Sequence, residues 1–351
     1  LSKIYLREGM MILLDILEKG QEKRASDIHL VNEEKVIYRI NGELIRDEEN
    51  EKVSKSFLID CIKETLTEKQ KEIFEKIKEI DIAFEDIKKR RYRINLYNEK
   101  GSPAFSIRIL TKKIQSFEKL NLPEVLKNMI KYKNGLVLVT GATGSGKSTT
   151  LAAMIEEINQ RKALSIMTIE DPIEYIFENK KSFIRQREIG TDTLSFRNAL
   201  KSVLRQDPDI IMVGELRDAE SIEAALTSAE TGHLVFGTLH TNGAVETINR
   251  LIDIFSEEKQ GQIKTQLSSA LRGVVSQQLL LDKKNEIIPA FEILFVTTAV
   301  SNQIAVGKIS QIFTAIETGQ KYGMISMKEY LSNMYKSGII NKEEYGRKRG
   351  Q

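Results

Sequence analysis

From Gly135 onward, short apolar runs alternate with stretches whose apolar residues recur at helical spacing, and each run closes on polar residues. Four runs predict strands: Leu136 to Thr140, Leu164 to Glu170, Asp209 to Glu215 and Leu234 to His240. Leu151, Met154, Ile155 and Ile158 predict an amphipathic helix starting near Lys147. Strands alternating with helices predict a mostly parallel sheet with right-handed crossovers. Earlier in the chain the rhythm differs. Lys35 to Ile40, Arg91 to Leu96 and Ala104 to Leu110 alternate with period two, among helical stretches such as Phe57, Leu58, Cys61 and Ile62, an α+β pattern. Met10 to Leu17, broken by Asp15, predicts an amphipathic helix and not a signal peptide. A polar stretch from Thr111 to Leu120, ending near Pro123, predicts a linker. After Val296 the pattern is helical to the end, with Met324, Met327, Leu331 and Met334 forming a core stripe. The expected organisation is residues 1–110 as an N-terminal α+β domain, 111–122 as linker, 123–296 as the α/β core and 297–351 as a C-terminal helical region.

Length and composition narrow the class. A chain of 351 residues has room for about two domains, and 29% charged with 41% hydrophobic residues is ordinary for a soluble globular protein. A net charge of +3 leaves no electrostatic footprint for nucleic acid, so no nucleic-acid partner is expected. The basic run Lys88 to Arg93 is short and reads as a solvated hairpin. One cysteine, Cys61, lies in an apolar helical pattern and is expected to be buried, which excludes intrachain disulfides and Cys-x-x-Cys zinc sites and points to the cytoplasm. No apolar run approaches about 18 residues, so no integral membrane segment is expected. The chain opens on Leu1, which predicts either an unusual start or an extension ahead of a start at Met10 or Met11.

Chemistry enters where the first strand ends. Gly141, Ala142, Thr143, Gly144, Ser145, Gly146, Lys147, Ser148 and Thr149 spell the phosphate-cradling loop G-x-x-x-x-G-K-[ST], so ATP or GTP binding is predicted. Backbone N–H groups of the loop and the following helix N-terminus meet the phosphates, Lys147 neutralises their charge, and the Ser148 hydroxyl is suited to ligate Mg²⁺. Ile210-Ile-Met-Val-Gly-Glu215 is a Walker B pattern with Glu in place of the commoner Asp. Glu170 adds a second carboxylate, suited to polarising the attacking water. In a parallel α/β sheet the strands' carboxyl ends share one edge, which brings these groups together. His240 is placed to report the γ-phosphate or orient water. His233 lies at the other end of the same run, roughly 23 Å away in extended chain. His29 is assigned a structural role.

Four ordered boxes resemble the secretion ATPase superfamily and, within it, the type IV pilus retraction ATPases (PilT family), over nearly the whole chain. These are the Walker A box Gly141 to Thr149, the Asp box Thr168 to Glu174, the Walker B box Asp207 to Glu215 and the His box Thr231 to Thr241. The resemblance implies a RecA-like P-loop NTPase motor domain behind a smaller PAS-like domain and followed by C-terminal helices, assembled as a homo-hexamer. It implies ATP as the nucleotide, Glu170 as general base, and Glu215 holding Mg²⁺, usually through water. Ala25 to Leu30, Arg91, Arg93 and Arg108 also resemble this family, whose N-terminal arginines reach the nucleotide. An inner-membrane pilus platform protein is the implied partner, which places the protein at the cytoplasmic face of the pilus base. The lack of a tetracysteine module, a short N-terminal region and the tail Glu317 to Met324 resemble the retraction branch. One departure stands out: where that branch has Ala-Ile-Arg-Asn-Leu-Ile-Arg-Glu, this chain has Ala299-Val-Ser-Asn-Gln-Ile-Ala-Val306. It is expected to bear on force coupling and not on hydrolysis. Alternatives are a secretion, competence or accessory pilus ATPase, and a nucleic-acid translocase on the same core.

Overall fold

A computed structural model describes residues 13–40, 42–49, 51–110 and 114–349. The chain divides into two units, Leu1–Lys112 and Lys113–Gln351. In the first, β1 (Asp27–Leu30), β2 (Ile37–Ile40), β3 (Glu43–Arg46), β4 (Glu79–Glu85), β5 (Arg91–Glu99) and β6 (Ser102–Ile109) form an antiparallel sheet ordered β3-β2-β1-β6-β5-β4. Alternation decides which face is covered. Tyr92, Ile94 and Leu96 of β5 are buried with residues of α1 (Leu13–Glu22), α2 (Lys55–Thr65) and α3 (Glu68–Ile77). Cys61 lies in that core, as expected. The helix expected over Met10 to Leu17 is present from Leu13, and its first residues lie outside the described ones.

The second unit is built on a sheet ordered β13-β12-β7-β11-β10-β8-β9. Its strands are β7 (Gly135–Thr140), β8 (Ser165–Glu170), β9 (Phe183–Glu188), β10 (Ile210–Val213), β11 (Leu234–Leu239), β12 (Leu271–Leu281) and β13 (Ile287–Phe295). Every neighbouring pair is parallel except β12 with β13. Residues of β7, β10 and β11 are buried at every position, the mark of a sheet covered on both faces. Its helices are α4 (Leu126–Met129), α5 (Lys147–Arg161), α6 (Phe196–Val203), α7 (Ala219–Glu230), α8 (Ala244–Asp253) and α9 (Glu257–Ala270), followed by α10 (Thr298–Ala305), α11 (Ile312–Thr318), α12 (Met327–Lys336) and α13 (Lys342–Arg349). The α/β class, the mostly parallel sheet and the helical C-terminal region agree with expectation.

Four details differ from the sequence reading. Part of the expected linker is packed: Phe117 and Leu122 are buried in the second unit's core, two apolar anchors inside a polar stretch. Strand β10 stops at Val213, so Glu215 stands beyond the strand end. The strands β9, β12 and β13 were not singled out. The methionine stripe is core, but split: Met324 joins the main core, whereas Leu331 and Met334 pack with Leu280 and Ala290.

Candidate nucleotide site

Lys147 opens α5, where Gly146 at φ +85° turns the loop into the helix. Its ammonium donates to the carbonyl oxygens of Gly141 at 2.8 Å and Ala142 at 2.9 Å, and lies 3.3 Å from Nδ1 of His240. These are three directions for three N–H donors. Burial holds the amine below the usual lysine range, opposed by the charges of Glu215 and Glu174. Gly141 is required by its neighbours as well as by its φ of +143°. A Cβ there would stand 2.3 Å from the carbonyl oxygen of Gln277 and 2.6 Å from Oγ of Ser145. Gln277, on β12, also accepts a 2.6 Å hydrogen bond from Thr150. It braces the loop from the neighbouring strand, and only the strand pairing reveals it.

The His and Walker B boxes meet beside Lys147. Nε2 of His240 lies 3.2 Å from Oε1 of Glu215, while Arg217 Nε reaches Oε2 of the same carboxylate at 2.8 Å. With Nδ1 facing an ammonium, the network assigns the imidazole as acceptor at Nδ1 and donor at Nε2. Lys147, His240 and Glu215 thus form one chain of polar contacts across β7, β10 and β11. Thr238 donates to the Gly214 carbonyl and fixes the bend that carries Glu215 off its strand. Thr149 contacts the Tyr175 hydroxyl at 2.8 Å.

Glu170 ends β8 and is only 6% exposed. Burial pushes its carboxyl up to about 7, against the hydrogen bonds it accepts from Thr168 and Gln186. A base titrating there suits proton abstraction near neutral pH. Glu170 is not bonded to the Lys147, His240 and Glu215 cluster. It stands at the next strand end, where a Cβ on Gly214 would approach its Cα to 3.3 Å.

Other candidates fall elsewhere. His233 contacts the Ser228 carbonyl at 3.0 Å, beyond the opposite end of β11 from His240. His29 contacts Ser106 in the first unit's sheet. Arg91, Arg93 and Arg108 belong to that same sheet. Arg93 and Arg108 face each other in register, with Arg93 bound to Asp81 at 2.7 Å and Arg108 to Asp27 at 3.0 Å.

The loop fits a polyphosphate. Ser145 Oγ is buried with no hydrogen-bond partner among the described residues, and a Cβ at Gly144 would meet no atom within 4 Å. Among the described residues no cluster of three or more His, Cys, Asp or Glu is placed to hold a metal alone. Mg²⁺ in nucleotide sites shares its coordination with phosphates and one or two protein oxygen ligands, and the Ser148 hydroxyl and Glu215 carboxylate are of the chemical kind that would fit that role.

Residues 9–287 match the family described as Type II/IV secretion system protein. The chain belongs to this family. It is 41% identical over 337 residues to the type IV pilus retraction ATPase PilT of Pseudomonas aeruginosa, covering 95% of this chain and 96% of that one. It is 45% identical over 287 residues to a twitching motility protein of Neisseria gonorrhoeae, covering 82% and 76%. The crystal structure of the pilus retraction motor PilT with bound ADP superposes at a TM-score of 0.90, with 41% identity over 96% of this chain and 97% of that one. The ATPase DotB of Legionella pneumophila superposes at 0.81, with 28% identity over 98% and 97%. The family is that expected from the four boxes. No described helix is long and apolar enough to cross a membrane.

Proposed function

We propose that this chain is an ATP-hydrolysing motor that drives type IV pilus retraction as a homo-hexameric ring. The observation that carries the reading is the convergence of Lys147, His240 and Glu215 at one sheet edge, next to the buried base Glu170, in a chain with 41% identity to a pilus retraction ATPase. Gly141 to Thr149 cradle the phosphates, Lys147 meets their charge, and Ser148 with Glu215 hold Mg²⁺, which supplies Lewis-acid polarisation of the phosphate oxygens. Glu170 takes a proton from the attacking water, whose oxygen bonds to the γ-phosphorus as the bond to the ADP oxygen breaks. His240 links the lysine to Glu215 and orients the γ-phosphate end of the site. Arg91, Arg93 and Arg108 supply positive charge to a neighbouring subunit's site, where it offsets transition-state charge. The inner-membrane platform protein of the pilus is the partner, at the cytoplasmic face.

The test is Mg-ATP turnover together with twitching of a strain that lacks its own retraction ATPase. The wild-type chain is expected to restore twitching and Lys147→Ala to fail in both assays. Turnover by the wild type without restored twitching overturns the retraction assignment. The departure at Ser301, Gln303, Ala305 and Val306 favours a second reading in that case, a related secretion or accessory pilus ATPase.

A further inference from the structure

We propose that Thr168 and Gln186 are positioning residues that hold the Glu170 carboxylate in a single working orientation. The inference rests on the reading of Glu170 as the base. Both side chains donate to the same oxygen: Thr168 Oγ1 reaches Oε1 of Glu170 at 2.7 Å and Gln186 Nε2 reaches it at 3.1 Å. The fold puts them there. Thr168 lies two residues before Glu170 on β8, hence on the same face, and Gln186 sits directly opposite Thr168 in the parallel pairing with β9. The Gln186 amide has one allowed orientation. Its second N–H donates to the Tyr175 carbonyl at 2.8 Å, and its oxygen accepts from the Phe177 amide at 2.9 Å. A flipped amide would turn its N–H groups toward the Phe177 N–H and its oxygen toward two acceptors. The same side chain therefore ties the loop after β8 to the carboxylate.

The surroundings leave the task to these two donors and one backbone amide. Glu174, on the following loop, contributes a backbone N–H that favours the ionised carboxylate and a charge that disfavours it. Glu188, directly opposite Glu170 on β9, turns its carboxylate to the Ile173 amide and the Thr191 hydroxyl. Just past the end of β10, Gly214 presents no side chain, and Arg217 beyond it pairs with Glu215 and lies 3.8 Å from Asp171. Without Thr168 and Gln186, burial favours the neutral acid, which cannot accept a proton from water.

The experiment measures kcat and KM for Mg-ATP on the full chain between about pH 6 and pH 9. Thr168→Val and Gln186→Leu are each expected to move the acid limb of kcat upward by about one pH unit. At about pH 6.5 kcat then falls roughly tenfold, while KM and the alkaline plateau change less than about threefold. Thr168→Ser, which keeps the hydroxyl, is expected to restore the wild-type limb. A limb that stays in place, whether the rate is normal or lowered equally at every pH, overturns the proposal. If Gln186→Leu does not fold by circular dichroism, Thr168→Val, which keeps the side chain's shape, decides alone. Glu170→Gln is the control. Wild-type turnover by that variant removes the base and this proposal together, whereas an inactive Glu170→Gln with unmoved limbs in the other variants removes this proposal only.

Discussion

Lys147 spends all three of its N–H donors on two loop carbonyls and His240, so its position is set before any phosphate charge is counted. Lys147→Ala is expected to lower turnover by about 10²-fold to 10³-fold, the usual effect of removing one preorganised charge-stabilising donor, as read by steady-state ATP hydrolysis. Gly141→Ala tests the loop's backbone. The added methyl meets a backbone oxygen at 2.3 Å and a φ that L residues rarely adopt, a strain of about 1–3 kcal/mol that should appear as weaker nucleotide binding in a titration. Glu170 titrates near 7, so the fraction ionised rises with pH. Hydrolysis by the wild type is expected to climb with pH through a midpoint at about 7 and level off roughly one pH unit higher, while Glu170→Gln and Glu215→Gln should each bind nucleotide yet lose hydrolysis.

At the scale of elements, β12 and β13 brace the phosphate loop and the start of α8 through polar groups. Gln277 of β12 braces the loop, and Glu292 of β13 accepts a 2.8 Å bond from the Ala244 amide at the start of α8. A carboxylate at a helix N-terminus meets unsatisfied N–H groups and the positive dipole end. Glu292→Ala should cost about 1–2 kcal/mol, measured by denaturant unfolding. Helix α10 carries the departure from the retraction pattern, and its environment separates the substitutions. Ser301 donates to the Ser268 carbonyl of α9 at 2.6 Å, whereas Val306 is 67% exposed. Placing Arg at 301 and 305 and Glu at 306 is expected to change retraction in a pilus assay and leave ATP hydrolysis unchanged. Most of any stability loss should come from position 301.

For the whole molecule, the arginines and the phosphate loop lie in different units of one chain. In the proposed ring, activity should rise steeply with protein concentration as subunits assemble. Mixing inactive Arg93→Ala with inactive Lys147→Ala tests whether the arginine acts between subunits. Some interfaces of a mixed ring pair an intact arginine with an intact loop, so partial turnover is expected to return. No recovery, with mixed rings verified by native mass measurement, would place Arg93 outside a neighbour's site.

The sequence by itself marked out the phosphate loop, both carboxylates and His240 as candidates, together with four of the strands of the parallel sheet. Each is local: a glycine-lysine spacing, or an apolar run closing on a charged residue, follows from a few consecutive positions. It also separated His240 from His233, because an extended strand has a fixed rise. Tertiary structure decided the rest. Gln186 and Gln277 sit in strands whose text, Phe-Ile-Arg-Gln-Arg-Glu and Leu-Arg-Gly-Val-Val-Ser-Gln-Gln, carries no motif, and they gain a role only when β9 pairs with β8 and β12 with β7. The raised pKa of Glu170 and the packing of Phe117 and Leu122 have the same origin: burial is set by what other parts of the chain place around a residue, which no window of neighbouring positions contains.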